Sequence, residues 1–94
     1  MKVYRVELEK FAQKQFRKLP RHIQKALRTW TLLIEEFGIG SMRRIPGYHD
    51  EPLKGERRGQ RSSRLSQGYR VIYVENEVGE IVVVSVQEVN KHDY

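Results

Sequence analysis

One apolar stripe in the first half of the chain constrains its fold more than any other feature. Between residues 20 and 38, apolar side chains recur in steps of four, three, four and three. They are Ile23, Leu27, Trp30, Ile34 and Phe37. This spacing places them on one face of an α-helix, which must pack against another surface. Pro20 suits the start of such a helix and Gly38 suits its end. We therefore expect a long helix with one buried face.

A strand and a second helix are expected before this stripe. Residues 2–8 alternate between apolar and polar side chains, which predicts a strand with Tyr4, Val6 and Leu8 facing inward. A shorter helix is expected from Glu9 to Pro20. Its apolar face is predicted to comprise Phe11, Ala12, Phe16 and Leu19.

The second half of the chain predicts mainly strands. Residues 39–49 contain two glycines and a proline and are expected to form a loop. Residues 80–87 are the most apolar segment, and they predict a central strand that pairs with residues 69–75 after a turn at 76–79. The expected fold class is α+β, with two N-terminal helices packed on an antiparallel sheet of about four strands. We expect residues 1–94 to form a single domain.

A polar strand precedes the apolar one and is unusual in composition. Residues 59–66 read G-Q-R-S-S-R-L-S, with almost no apolar side chain to bury. A turn then leads to the apolar strand that begins at Tyr69. Arg61, Arg64 and Arg70 thus fall on neighbouring strands, where their charges repel one another unless an anion binds. We interpret this hairpin, residues 51–74, as the functional surface.

The charge distribution also indicates an anionic partner. The 94-residue chain has a net charge of +6, and residues 43–70 account for +5 of it. Their basic residues are Arg43, Arg44, Lys54, Arg57, Arg58, Arg61, Arg64 and Arg70, against Asp50, Glu51 and Glu56. Nucleic acid or an acidic protein would suit such a surface. The alternative is a solvated basic face without a partner.

Composition excludes several classes of protein. The chain has no cysteine, so it has neither disulfides nor thiolate metal sites. No apolar run is long enough for a membrane span, and residues 1–10 lack the apolar region typical of a signal peptide. We therefore expect a soluble, cytoplasmic protein without a cofactor. Metal is not expected, because the only candidate ligands are His49, Asp50, His92 and Asp93, which lack metal-site spacing.

Metal-free cleavage of RNA requires only residue types that this chain has near the basic hairpin. A base removes the proton of the 2′-hydroxyl, an acid protonates the leaving 5′-oxygen, and cations stabilise the phosphoryl oxygens. Candidates for base and acid are Glu51 and His92. Candidates for the phosphate contacts are Lys54, Arg64 and Arg70, and Tyr48 or Tyr94 could stack on a base.

Three short motifs carry a resemblance to a known family. They are E-P-L-K-G at residues 51–55, G-Y-R-V-I-Y at 68–73 and K-H-D-Y at 91–94. With the order of elements, they resemble the RelE/ParE superfamily of bacterial toxins, and within it the RelE and YoeB messenger-RNA interferases. The resemblance implies a toxin of a type II toxin-antitoxin system. Such a toxin cleaves messenger RNA in the ribosomal A site and is neutralised by a cognate antitoxin.

The resemblance also implies a role for each motif residue. Glu51 matches the general base of YoeB-like toxins and His92 the general acid, with Tyr94 as a nearby aromatic. Arg70 matches the residue that stabilises the phosphorane. The predicted RNA contacts are Lys54, Arg57, Arg58, Arg61 and Arg64. HigB-like relatives place a histidine near the base position, so His49 is an alternative base, and Tyr94 is an alternative to His92.

Two other functions fit the same features. The ParE branch shares the fold but inhibits DNA gyrase, and a non-catalytic RNA-binding module would also be basic. The catalytic residues have structural alternatives too. Glu51 could pair with Arg57 or Arg58 at the surface, and Arg70 could pair with Glu88 across the sheet.

Overall fold

A sheet with helices packed on one side forms the protein in the computed structural model, which describes residues 1–91. In chain order the elements are β1 (Val3–Leu8), α1 (Lys10–Lys18), α2 (Arg21–Phe37), α3 (Ile39–Arg43), β2 (Glu51–Pro52), β3 (Arg61–Arg64), β4 (Tyr69–Val78) and β5 (Ile81–Lys91). Single 3-10 turns at Pro46–Tyr48 and Gly55–Arg57 flank β2. The predicted α+β class is confirmed. Within residues 1–91, no helix combines the length and apolar character that crossing a membrane requires.

The sheet has five strands in the order β1-β5-β4-β3-β2. The expectation of an entirely antiparallel sheet of about four strands is wrong in two respects. First, β1 pairs in parallel with β5, because the two helices return the chain to the end of the sheet where β1 finished, and three successive reversals from β2 to β5 then leave β5 running in the direction of β1. Second, β2 adds a two-residue edge strand, which is too short to show an alternating pattern in the sequence.

The core lies between α2 and the central strands. The apolar stripe of α2 is buried as predicted at Ile23, Leu27, Trp30 and Ile34. Trp30 packs edge-on against Tyr73 of β4, with ring centroids 5.3 Å apart and planes at 64°. The last strand supplies the opposing surface through Val82, Val84, Val86 and Val89. This packing fixes β4 and β5, which carry half of the site described below.

Three sequence predictions about the helices differ from the structure. Phe11 and Phe37 were expected in the core, but 58% and 66% of their surfaces are exposed. Phe11 lies one position, about 100° of helix rotation, from the buried Ala12, and Phe37 lies in the last turn of α2. The loop expected at residues 39–49 contains α3, because Ile39 and Met42 are spaced to bury one side of a helical turn.

Gly38 ends α2, as predicted, and the structure shows why glycine is required. Its φ is +90°, a backbone angle that residues with a side chain rarely adopt. A Cβ at this position would also lie 3.0 Å from the Tyr4 ring. The tight contact lets the chain turn from α2 into α3 directly beside β1.

A β-bulge in β5 determines which residues point away from the helices. Ile72 pairs with Glu88 and Tyr73 pairs with Val86, so Gln87 is an extra residue in β5. The bulge lets both Val86 and Val89 face the helices. It also turns Glu88 to the opposite side of the sheet, which we call the open face.

Candidate functional site

Directly paired residues form a row across the open face, and the first row runs from Glu51 on the edge strand to Glu88 in β5. Glu51 pairs with Ser62, Ser62 with Ile72, and Ile72 with Glu88. Directly paired residues point to the same face of a sheet. Ile72 is nonetheless fully buried, and Arg57 reaches over the sheet from its 3-10 turn to Glu88. The two contacts from Arg57 Nη2 to the Glu88 carboxylate oxygens measure 3.2 and 3.1 Å.

The second row places two arginines directly opposite each other on neighbouring strands. Arg64 pairs with Arg70, and Arg70 pairs with Asn90. Both arginines lie two residues from the first row on their strands, so they share the open face with Glu51. Like charges in direct register destabilise a sheet. Within residues 1–91, the buried Nε of Arg70 has no hydrogen-bond partner. Such an arrangement is costly by itself and is suited to an anionic ligand.

Glu88 remains ionised beside these arginines. A hydrogen bond of 2.7 Å from Asn90 Nδ2 lowers the pKa of Glu88. Partial burial opposes this shift, whereas the hydrogen bond from Arg57 and the nearby charge of Arg70 lower the pKa further. The ion pair of Glu88 is therefore with Arg57 and not, as the alternative interpretation had it, with Arg70. Arg70 is influenced by the Glu88 charge but retains donors for another group.

The two candidate bases are neighbours. His49 Nε2 lies 3.6 Å from Glu51 Oε2, and about half or more of each side chain is exposed. His49 ends a 3-10 turn with a left-handed φ of 42°, a conformation in which histidine is enriched. The alternative partners Arg57 and Arg58 do not pair with Glu51. Either side chain is thus open to a substrate on the open face.

A buried carboxylate holds Glu51 in this position. The side chain of Asp50 has no exposed surface. Arg61 donates from Nε and Nη2 to one Asp50 oxygen at 2.8 and 2.7 Å. The hydroxyls of Ser63 and Tyr73 donate to the other oxygen at 2.5 and 2.6 Å. Because successive side chains of a strand alternate, an inward Asp50 directs Glu51 outward.

The surrounding charges keep this network in one protonation state. Burial and the Asp50 carboxylate raise the pKa of Tyr73 to about 12, against the opposing effect of Arg43. Burial alone would lower the pKa of Arg43, but its contacts with Glu75 and Tyr73 outweigh burial and raise it. Tyr73 therefore stays protonated at any ordinary pH, and its hydroxyl donates a hydrogen bond to Asp50.

The other predicted RNA contacts are dispersed. Lys54 and Arg58 are exposed on the segment between β2 and β3. Arg57 contacts Glu88, as described above. Arg61 is bound to Asp50 on the helix side of the sheet, away from Arg64 and Arg70. Tyr48 is half-buried against the core, which raises its pKa.

Several predicted residues lie outside the described part of the chain. These are His92 and Tyr94, proposed as acid and aromatic, and Asp93, one of the weak metal candidates. Within residues 1–91, no three His, Cys, Asp or Glu side chains are grouped to hold a metal ion.

Sequence reasoning missed the Asp50 network, although one signal was available. Asp50 and Glu51 are consecutive residues at the start of an extended segment. Two consecutive residues of a strand cannot both face the same side. One carboxylate therefore had to point toward the sheet interior, where the arginine and tyrosine of β3 and β4 satisfy it.

Solved structures of toxins from toxin-antitoxin systems share the fold of this chain. The RelBE2 toxin-antitoxin complex of Mycobacterium tuberculosis is 26% identical over 96% of this chain and 99% of that chain, with a TM-score of 0.63. The archaeal RelE-RelB complex of Pyrococcus horikoshii is 23% identical over 95% and 94%, with a TM-score of 0.71. The chain has the RelE-like toxin fold. A YoeB/ParE toxin from Agrobacterium tumefaciens, 17% identical over 99% and 100%, has a TM-score of 0.68.

The RelE-like fold is thus evident from structure across nearly the whole chain. By sequence, no family profile matches, and no curated protein is similar. This contrast is expected, because the core needs only apolar residues at the right spacing, which many different sequences provide. The resemblance suggested by the three short motifs is confirmed at the level of the fold.

Proposed function

We propose that the protein is the toxin of a type II toxin-antitoxin system and cleaves messenger RNA in the ribosomal A site. The observation that carries this proposal is the strand register, which gathers Glu51, Arg64 and Arg70 on one open face of a RelE-like fold. A carboxylate beside two arginines is what acid–base cleavage of a phosphodiester requires.

The proposed reaction begins with proton removal by Glu51. Its carboxylate takes the proton of the 2′-hydroxyl, and the 2′-oxygen attacks the adjacent phosphorus. The bond from phosphorus to the 5′-oxygen then breaks, and that oxygen receives a proton from His92. The products are a 2′,3′-cyclic phosphate and a free 5′-hydroxyl. Neither a metal ion nor an external cofactor takes part in these steps.

Arg70 is the proposed stabiliser of the phosphorane. Two features support this role: its Nε is buried without a hydrogen-bond partner in residues 1–91, and Arg64 lies directly opposite. A guanidinium group binds two phosphoryl oxygens through parallel N–H donors, which a lysine cannot reproduce. Charge developing on the phosphoryl oxygens would relieve the repulsion between the two arginines.

The proposed partners follow from the relatives and from the charge. Two of the similar structures are complexes of a toxin with its antitoxin, which supports an antitoxin for this chain. Such an antitoxin is expected to carry an acidic segment that covers the basic surface. The ribosome and messenger RNA enter the proposal through the likeness to RelE and YoeB.

The test is cleavage of a defined messenger RNA on purified, programmed ribosomes. We expect cuts within the A-site codon and 5′-hydroxyl ends, with no direct effect of EDTA on the chemical step once magnesium for ribosome integrity is controlled. The same preparation is assayed for inhibition of DNA supercoiling by gyrase. Gyrase inhibition without cleavage would replace the proposal with a ParE-like function. RNA binding without either activity would indicate a non-catalytic module.

A further inference from the structure

The densest positive charge of the protein lies away from the open face, on the helical hairpin formed by residues 10–28. Its basic residues are Lys10, Lys14, Arg17, Lys18, Arg21, Lys25 and Arg28, and it has no Asp or Glu. The total charge of +6 conceals this cluster, because acidic residues elsewhere in the chain, among them Glu35, Glu36, Glu75 and Glu77, offset it. The hairpin thus carries +7, more than the +5 of residues 43–70.

The hairpin charges are also less neutralised than those near the open face. All seven basic residues are exposed, and none forms an ion pair within residues 1–91. In contrast, Arg43, Arg57 and Arg61 each pair with a carboxylate. The helical hairpin is therefore the stronger source of positive potential.

The local sequence places several of these charges where they disfavour the helices, although Arg17 and Lys18 lie in the last turn of α1, where cations are favourable. Lys10 and Arg21 are the first residues of α1 and α2, and the first turn of each helix contains no acidic residue. Cations at a helix N-terminus oppose the helix dipole. Lys14 with Lys18, and Arg21 with Lys25, are like charges at spacing i, i+4, which destabilises a helix. An anionic ligand bound to these charges would offset this cost to helix stability.

The geometry forms two cationic stripes with a polar groove. Lys10, Lys14 and Arg17 share one face of α1, and Arg21, Lys25 and Arg28 repeat the same i, i+4, i+7 spacing on α2. Each stripe spans roughly 10 Å. The groove beside the α2 stripe has a volume of about 670 Å³. It is lined by Arg21, His22, Gln24, Lys25 and Arg28.

We propose that the helical hairpin binds the phosphate backbone of double-stranded RNA, as a second contact separate from the open face. Spaced, unpaired cations are sufficient for backbone binding. No apolar side chain lines the groove to anchor a protein segment, and no Phe, Tyr or Trp lines it to stack an unpaired base; its only ring is the imidazole of His22. The inference builds on the proposed function, in which the RNA being cleaved lies within a folded ribonucleoprotein.

The test measures binding to a 20-base-pair RNA duplex by fluorescence anisotropy between 50 and 200 mM salt. The variant Arg21→Gln/Lys25→Gln is compared with Arg5→Gln/Arg44→Gln, which removes the same charge from exposed positions outside the hairpin. The hairpin variant should bind roughly tenfold to hundredfold more weakly, and its salt slope should fall by about 2. The control should change both quantities much less. If the hairpin variant fails to fold, Lys14→Gln/Arg17→Gln tests the α1 stripe.

Three outcomes would overturn the inference. The first is that wild-type protein does not bind the duplex, and the second is that both variants weaken binding equally. The third is that poly-L-glutamate of equal charge binds as tightly as the duplex, which would assign the surface to an acidic protein segment. Ribosomal cleavage is measured in parallel. Wild-type protein that binds duplex through the hairpin without cleaving messenger RNA would refute the proposed function and leave this inference intact.

Discussion

Replacing Tyr73 with phenylalanine tests the buried network that directs Glu51 to the open face. The Tyr73 hydroxyl donates to Asp50 over 2.6 Å, and the side chain has no exposed surface. Tyr73→Phe keeps the ring that packs against Trp30 and removes only this donor. A hydrogen bond to a charged acceptor contributes about 1.5–3 kcal/mol, so the free energy of unfolding should fall by about that amount at pH 8.

The raised pKa of Tyr73 predicts how the stability of the protein changes with pH. In the folded protein the pKa is about 12, against 10.0 for an unperturbed tyrosine. A difference of about 2 pKa units corresponds to about 2.7 kcal/mol of preference for the protonated hydroxyl, caused first by burial and then by the Asp50 carboxylate. Because the folded pKa is the higher one, this stabilisation is complete below pH 10 and is lost as the pH rises through 12. At pH 11 wild-type protein should have lost about 1.4 kcal/mol of it.

The assay is urea unfolding of both proteins at pH 8 and pH 11. The difference in unfolding free energy between wild type and Tyr73→Phe should shrink by about 1.4 kcal/mol at the higher pH. Tyr69→Phe is the matched control. Its hydroxyl makes no hydrogen bond within residues 1–91, so the change should stay within about 0.5 kcal/mol. A Tyr73→Phe difference that is equal at the two pH values would refute the reasoning.

The remaining predictions concern the site itself. Arg70→Lys keeps the charge but loses the planar fork, so it should abolish most growth inhibition by a protein that remains folded by circular dichroism; full toxicity would remove the phosphorane role. In single-turnover cleavage, Glu51→Ala and His92→Ala should each slow the reaction by roughly 10² to 10⁴, and His49→Ala much less; the reverse order for Glu51 and His49 would assign the base to the imidazole. Asp50→Asn should lower the free energy of unfolding by about 3–5 kcal/mol in urea titrations, because it removes the fully buried anion that half-buried Arg61 binds, and a loss under about 1 kcal/mol would contradict the network.

Periodic apolar residues made the helices and main strands predictable. The steps of four and three along α2 give a buried face at four of five positions, and the exception is Phe37, the last residue of the helix. The sequence did not predict which strands pair. The apolar pattern of β1 and β5 fits parallel and antiparallel pairing equally well. Their parallel arrangement follows from the return of the chain through the helices and the three reversals from β2 to β5.

The site was only partly predictable for a related reason. Glu51, Arg64 and Arg70 were found because charged residues in a strand are conspicuous. Arg61 and Arg64 are three residues apart, so they lie on opposite faces of β3, and it is Arg61 that faces the helices and binds Asp50. Distinguishing the two requires the register of β3 against β4, and a four-residue polar strand contains no apolar pattern from which to read it.

The pairing of β1 with β5 has a consequence for how the protein is made. The strand nearest the N-terminus becomes part of the sheet only when residues 81–86 are available beside it. During synthesis, domains begin to fold as the chain emerges from the ribosome, but contacts between distant segments form late. The helices and β1 therefore have no sheet to pack against while β2, β3 and β4 are translated. The rows that join Glu51 to Glu88 and Arg70 to Asn90 likewise assemble last. A ribosome that is making this protein is thus not exposed to the assembled open face of the chain it is still translating.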